Sequence, residues 1–300
     1  MNPVAEVRLA TLNLASGRPV DLRTGRSGPP APTLDGDGLQ AALAPLGPDG
    51  LGIDVLALQE VDLGQSRSHE VDQMMVAARA IGVDPATGAA FAPALLGTPS
   101  VARDWTPAPP TVVLGRPFDG GPAADRHEPQ YGVALVSRLP VLEWRVLRLP
   151  GGTAKLPLPV QDPQTGRHGV LLFPDEPRVA LAATVDAGRI GRLTVVTTHL
   201  SFWPTTAVRQ LRMVWRWLAD VPGPVVLAGD LNLPGRLPSR LLGAEPLALH
   251  RTYPSRGPRR QLDHLLLRRD SGSATLDSHP AGSVLLTVSD HRGLAAVLTR

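Results

Sequence analysis

The residues best suited to chemistry gather in three short stretches. In PVVLAGDLNLP, Asp230 and Asn232 close an apolar run and stand two apart. In an extended chain both side chains then leave on the same side. One is an anionic acceptor that can orient a water. The other is a neutral donor that can hold a phosphoryl oxygen without neutralising it. RRQLDHLLL places Asp263 in an apolar run, and TVSDHRGLAAVL sets Asp290 beside His291 just before another. An Asp that faces a His fixes the imidazole tautomer and raises its basicity. Neighbours on a strand point opposite ways, so Asp290 and His291 are expected to do different work. The same rule turns His264 away from Asp263 and gives it a structural role.

Three further positions lie at the ends of apolar runs. TLNL carries Asn13, IDVLALQEVD carries Glu60, and VVTTHLSFW carries His199. Taken singly, each has an ordinary reading. Asn is a common turn former, a strand-end Glu reaches solvent, and a lone His is usually a satisfied core residue. Glu60 is the sharpest of the three. An ionised carboxylate directly after a buried strand is costly unless it is paired or binds a metal.

Composition narrows the chemistry. The 300 residues contain no cysteine, which excludes disulfides, thiolate metal sites and Cys nucleophiles. Any metal must bind through oxygen or imidazole, and oxygen-rich sites favour hard cations such as Mg²⁺. Formal net charge is +3 although the pI is about 10.1, because Lys155 is the only lysine and the other cations are arginines. Arginine grips phosphate in a bidentate way, but an Arg-for-Lys bias also follows from a GC-rich genome. The N-terminus has no basic start followed by an apolar run. No stretch approaches the roughly 20 apolar residues of a membrane span. The expected compartment is the cytoplasm, with no integral membrane segment.

The elements that must position these residues are mostly short strands. Runs at Val7–Leu14, Ile53–Leu58, Val133–Val136, Arg178–Val185, Leu193–Thr198, Val225–Ala228, Leu262–Leu267, Ser283–Val288 and Leu294–Leu298 are apolar throughout or alternate, as buried strands do. Three helices are expected. One aligns Leu39, Ala42, Leu43 and Leu46 behind a cap at Asp35 or Asp37. A second aligns Val71, Met74, Met75, Ala78 and Ile81 and stops at Gly82. The third begins near Thr205 or Thr206 and aligns Val208, Leu211, Trp215 and Leu218. Residues 84–130 and 150–177 are rich in Pro and Gly and are expected to be long loops within one domain spanning 1–300. Many strands and few helices suggest two packed sheets with helices outside.

In this order, TLNL, LALQEVD, YGVALVSR, VVTTHL, LAGDLN, QLDHLLL and SDHRGLAAVL resemble the endonuclease/exonuclease/phosphatase superfamily, from about residue 7 to 299. The resemblance implies a four-layer αββα sandwich, an α/β fold with two mostly antiparallel central sheets flanked by helices. It implies a Mg²⁺-dependent phosphoesterase, with Mn²⁺ as a possible substitute. Glu60 would be the principal metal ligand, with Asn13 nearby and Asp290 completing the metal region. Asp230 would position or activate the attacking water, and Asn232 would hold the phosphate. Asp263 would orient His291, which would contact the scissile phosphate or move a proton. His199 would contact the phosphate or assist the leaving oxygen.

The superfamily hosts many substrates. Abasic-site enzymes carry Tyr where this chain has His199, and the longer Asp-x-Asn motif of inositol 5-phosphatases is missing. QEVDLGQSRSHEVDQMMVAARAIG is similar to an uncharacterised bacterial branch. Arg67 there could touch a substrate phosphate or sit on a solvated helix start. In HRTYPSRGPRRQLDH, Arg251, Arg256, Arg259 and Arg260 crowd the approach to Asp263. This stretch reads either as a polyanion grip, with Arg259 and Arg260 binding substrate, or as an ordinary surface loop. Tyr253 could stack on a base or pack inward. The leading expectation is a nuclease acting on nucleic acid. The alternative is a phosphodiesterase or phosphatase for a lipid headgroup or small metabolite, with Trp105 and Phe118 forming an apolar lip. A non-catalytic binding module is the minor alternative.

Overall fold

Strands that are apolar on both sides need cover on both faces, and the fold supplies it. The computed structural model describes residues 6–20, 33–99, 105–109, 128–153, 155–161, 168–269 and 276–300. In chain order the strands are β1 (Glu6–Asn13), β2 (Val55–Leu63), β3 (Ala89–Gly97), β4 (Trp105–Pro107), β5 (Gln130–Ser137), β6 (Val141–Leu149), β7 (Lys155–Gln161), β8 (His168–Pro174), β9 (Arg178–Asp186), β10 (Arg192–His199), β11 (Val225–Asp230), β12 (Glu245–Pro246), β13 (Asp263–Arg268), β14 (Asp277–Val284) and β15 (Gly293–Thr299). The helices are α1 (Gly36–Leu43), α2 (Gln73–Ala80), α3 (Pro85–Gly88), α4 (Pro204–Trp217) and α5 (Leu237–Leu242).

Two mixed sheets form the centre. One runs β14-β15-β1-β2-β5-β3-β4 and the other β12-β13-β11-β10-β9-β6. Each is antiparallel except for one central parallel pair, β1 with β2 and β10 with β11. The α/β sandwich expected from the resemblance is the fold observed.

Side-chain parity assigns each residue to a layer. Val7 and Leu9 of β1, Val55 and Ala57 of β2, Leu193 and Val195 of β10, and Val226 and Ala228 of β11 pack between the sheets. Leu12, Leu56 and Leu58 face α1 and α2, meeting Leu39, Leu43, Met74 and Ala77. Val196, Val225 and Leu227 face α4, meeting Leu211, Val214 and Leu218. Asp35 caps α1, accepting from Gly38 N at 2.8 Å, and Asp72 caps α2, accepting from Met75 N at 3.0 Å. Each carboxylate satisfies one otherwise orphaned amide.

Several expectations need correction. The 84–130 segment contains a nine-residue strand, β3, that pairs with β5 inside the first sheet. Its sequence AAFAPALLG lacks β-branched residues and contains Pro93, so local propensity hid it. Burial overrides propensity here, and the register shifts between Pro93 and Leu95. The 150–177 segment contains the β7–β8 hairpin, a separate two-stranded sheet. The Ser283–Val288 run does not form one strand. β14 ends at Val284, and Val288 makes an isolated bridge to Pro19. Trp105 packs against the inter-sheet core instead of forming an exposed lip, and Phe118 lies outside the described residues.

Candidate active site

The inter-sheet parity continues to the strand ends and there changes from apolar to polar. After Val7 and Leu9 come Thr11 and Asn13. After Leu193 and Val195 come Thr197 and His199. After Val226 and Ala228 comes Asp230, and before Leu265 and Leu267 comes Asp263. Both parallel pairs end here, with Asn13 in register with Gln59 and His199 with Asp230, while Asp230 is opposite Asp263 across an antiparallel pair. Gln59 ties the two sheets together beneath the site. It donates to Thr11 Oγ1 at 3.0 Å and Thr197 Oγ1 at 2.9 Å.

Strict alternation would carry Glu60 away from the inter-sheet layer. A bulge prevents this. The β2–β5 register shifts between Leu58 and Val61, and Glu60 has φ +51°. Asn232 (φ +51°) and Ser289 (φ +76°) are also left-handed. Such backbones cost about 1–3 kcal/mol each and persist where their surroundings over-determine them. Asp230 is therefore the last strand residue, and Asn232 is not extended as the spacing suggested. A turn brings it back, with its N–H on Asp230 Oδ1 at 3.0 Å.

The buried Asn13 joins the two sheets' carboxylates. Its Nδ2 donates to Glu60 Oε1 and to Asp230 Oδ2, both at 3.0 Å. His199 Nε2 lies 3.7 Å from Asp230 Oδ2, and its Nδ1 lies 3.9 Å from Glu60 Oε1. His291 Nδ1 is 2.8 Å from Asp263 Oδ2, and its Nε2 is 3.8 Å from Asp230 Oδ2. Burial raises the Asp230 pKa and the nearby Asp263 adds to this, while His291, Asn13 and Asn232 oppose it. Burial disfavours a charged His291, but the Asp263 and Asp230 carboxylates outweigh burial and raise its pKa. The two carboxyl groups on either side of His291 thus favour its charged form.

Asp290 is half-buried beside His291, and its carbonyl accepts from Ser255 N at 2.6 Å. Its carboxylate makes no hydrogen bond among the described residues. His264 turns away from the cluster, with Nε2 at 2.8 Å from Leu233 O. Arg67 points inward, gripping the buried Asp62 through Nε at 2.9 Å and Nη2 at 2.7 Å, and lying over the Tyr131 ring. That makes it the counter-charge of Asp62 instead of a free phosphate grip. Arg259 and Arg260 are exposed. Their backbone amides both donate to Tyr253 O. Tyr253 packs on the His291 ring, with centroids 4.9 Å apart.

Two participants escaped the sequence reading. Ser289 Oγ donates to Asn13 O at 2.5 Å and accepts from His291 N at 2.9 Å, lashing β1 to the His291 segment. The SDH triplet was its only signal. Arg178 opens β9 and reaches His199 Nδ1 at 3.2 Å. A charge at the mouth of an apolar run was visible but did not point to a partner.

Asp230, Asp263 and His291 offer ligand atoms that all lie within 4.8 Å of one another. Asp263 Oδ1 is buried with no hydrogen-bond partner among the described residues. Oxygen and imidazole donors with a spare buried oxygen fit a divalent cation once His291 gives up its proton. The endonuclease/exonuclease/phosphatase family pattern matches residues 10–291. The chain belongs to that family. Its site is a metal-binding phosphoesterase active site, and the protein is a metal-dependent hydrolase of phosphate esters.

An endonuclease/exonuclease/phosphatase from Beutenbergia cavernae DSM 12333 is similar in structure, with a TM-score of 0.58 and 20% identity over 98% of this chain and 72% of that one. D. rerio TDP2 complexed with single strand DNA product gives 0.52 and 15% over 99% and 100%. Sphingomyelinase C from Streptomyces griseocarneus gives 0.50 and 15% over 97% and 99%. At these identities the likeness speaks for the fold. No curated protein matches the chain.

Proposed function

We propose that this member of the family hydrolyses a phosphodiester of nucleic acid, with Mg²⁺ as its working cation. The reading is carried by the turn at 251–260. Arg251, Arg256, Arg259 and Arg260 are exposed, and none forms an ion pair with a described residue. The turn is fastened to the chemistry. Tyr253 lies on His291, Ser255 N donates to Asp290 O, and Arg292 N donates to Thr252 O at 2.9 Å. Cations fixed beside a phosphoesterase centre suit a substrate with further phosphates along a chain.

Glu60, Asn13 and Asp290 would hold the cation, and Mn²⁺ could replace it. When bound, it would offset the charge that builds on the phosphoryl oxygens. The protein's own groups supply the rest. Asp230 orients the attacking water and takes its proton. Asn232 and His199 hold phosphoryl oxygens. Asp263 keeps His291 aligned and charged, so that its Nε2–H faces the developing negative charge. None of the described helices is long and apolar enough to cross a membrane.

The test is a substrate panel with Mg²⁺ or Mn²⁺, with and without EDTA. It holds plasmid DNA, single-stranded DNA, RNA, sphingomyelin, phosphoinositides and bis-(p-nitrophenyl) phosphate. Metal-dependent cleavage of a nucleic acid, absent in Glu60→Ala, supports the proposal. Cleavage of a lipid or small ester alone overturns the nucleic-acid reading and keeps the phosphoesterase. Silence even on the generic ester, while metal and nucleic acid still bind, favours a binding module.

A further inference from the structure

His199 has a charged neighbour on the side away from Asp230. Arg178 is 4% exposed, and its Nη1 stands 3.2 Å from His199 Nδ1. Arginine only donates and stays protonated, so Nδ1 must accept. A neutral imidazole then carries its single proton on Nε2. That nitrogen lies 3.1 Å from Asn232 Nδ2, another group that only donates, and a neutral ring cannot accept at both nitrogens; the charged guanidinium is the stronger donor and takes Nδ1. Asn232 Nδ2 gives one hydrogen to Leu200 O at 2.9 Å, which fixes the amide orientation and leaves a second hydrogen. With Nδ1 held by Arg178, two N–H donors stand side by side without an acceptor between them, a pair that an anionic oxygen in the cleft would satisfy.

Arg178 is not held by a contact ion pair. No described carboxylate lies within ion-pair distance of its guanidinium, and its buried Nε has no hydrogen-bond partner among the described residues. Burial disfavours its charge, but the carboxylates of Glu176, Glu60 and Asp175 act on it from farther away and outweigh burial. Burying a cation without a contact partner is costly. Its neighbours fix its position, with the guanidinium 5.5 Å from the Phe202 ring centroid and that ring edge-on to His199 at 5.9 Å.

We infer that Arg178 is a positioning residue that holds His199 as the Nε2–H tautomer, so that His199 and Asn232 together present paired N–H donors to one non-bridging oxygen of the substrate phosphate. The inference rests on the phosphoesterase site and not on the nucleic-acid reading. Burial, and then the Arg178 charge, also keep the His199 pKa well below the ordinary histidine range. A neutral ring offers a donor without also offering a proton to the carboxylates around it.

The test reads the ring directly. In ¹⁵N-labelled full-length protein with Mg²⁺ at pH 7, the ring nitrogens of His199 are assigned by their loss in His199→Asn. The expected pattern is a protonated Nε2 and a hydrogen-bonded, unprotonated Nδ1. Arg178→Met removes donor and charge, and Arg178→Gln keeps a donor without the charge. Arg178→Met should shift His199 toward a tautomer mixture. It should also lower kcat on bis-(p-nitrophenyl) phosphate by about 10²–10⁴-fold, the scale of a mis-set catalytic tautomer, with KM changed by less than about threefold. Arg178→Gln should keep the tautomer and recover part of kcat. A wild-type His199 protonated on Nδ1 overturns the inference. So does a kcat loss with unchanged ring shifts, which would make Arg178 merely structural. If Arg178→Met does not fold, the wild-type spectrum and Arg178→Gln decide the matter. Absence of turnover in a wild type with the expected tautomer would instead count against the phosphoesterase assignment.

Discussion

Asp263 Oδ2 lies 2.8 Å from His291 Nδ1, while its other carboxylate oxygen is buried without a hydrogen-bond partner among the described residues. One oxygen aligns the imidazolium, and the whole carboxylate supplies its counter-charge. Asp263→Asn keeps the size of the group, removes the charge, and leaves a buried amide hydrogen without an acceptor. Turnover should fall by about 10²–10⁴-fold, as when an orienting carboxylate is lost from beside a catalytic imidazole. Stability should fall by only about 1–3 kcal/mol, the usual cost of one unsatisfied buried donor. Steady-state rates on bis-(p-nitrophenyl) phosphate and urea unfolding check both numbers. Near-wild-type turnover in a folded variant would refute the role given to the pair.

Glu60 is the carboxylate that the bulge in β2 turns into the site, where it shares the Asn13 amide with Asp230. Glu60→Ala should remove metal-dependent turnover while leaving the fold intact, because the Glu60 side chain is one-quarter exposed and closes no core contact. Calorimetric titration with Mn²⁺ should show weaker binding, and the thermal stabilisation given by metal should shrink with it. Unchanged Mn²⁺ affinity would move the cation to Asp230, Asp263 and His291. There it would have to displace the His291 proton, so its binding would weaken steeply as pH falls.

Much of this site was legible because chemistry-bearing residues close apolar runs. Asn13, His199, Asp230 and Asp263 each continue the inward parity of a strand whose earlier residues build the core. Glu60 was legible as a type but not as a direction, since only a bulge explains how it faces the site. Asn232 was legible as a partner of Asp230, although the turn that returns it was not. Arg178 was missed because its partner His199 lies on another strand, and nothing local marks that meeting. Strand β3 was missed for a different reason. Its alanines and Pro93 carry no strand propensity, and only burial on both faces makes it a strand.

The exposed arginines of the 251–260 turn separate the substrate readings. Arg259→Ala combined with Arg260→Ala should weaken nucleic-acid binding at low salt. It should also reduce the slope of log K against log salt by about 1–2, since each lost phosphate contact removes close to one released counterion. A small ester, which spans no second phosphate, should be affected much less. Fluorescence anisotropy with a labelled oligonucleotide at several salt concentrations gives the slope. Equal losses on the oligonucleotide and the small ester would mean that the turn shapes the site without gripping a chain of phosphates.

His264 gives a pH dependence that is independent of catalysis. Burial lowers its pKa to about 4, while its bond to Leu233 O and the Asp263 charge oppose that fall. The folded value lies below the ordinary 6.5, so between the two the unfolded chain binds the additional proton. The contribution to stability is therefore complete above about pH 6.5 and is lost as pH falls toward 4, with a slope of up to about 1.4 kcal/mol per pH unit. His264→Gln retains a donor for Leu233 O but does not titrate. Its unfolding free energy should fall less steeply than that of the wild type between pH 6.5 and 4.5. Urea denaturation at several pH values measures the difference between the two proteins, in which the titrations of Asp230 and His291 cancel. Parallel curves would show that His264 takes up its proton equally in the folded and unfolded chain, and that burial does not keep it neutral.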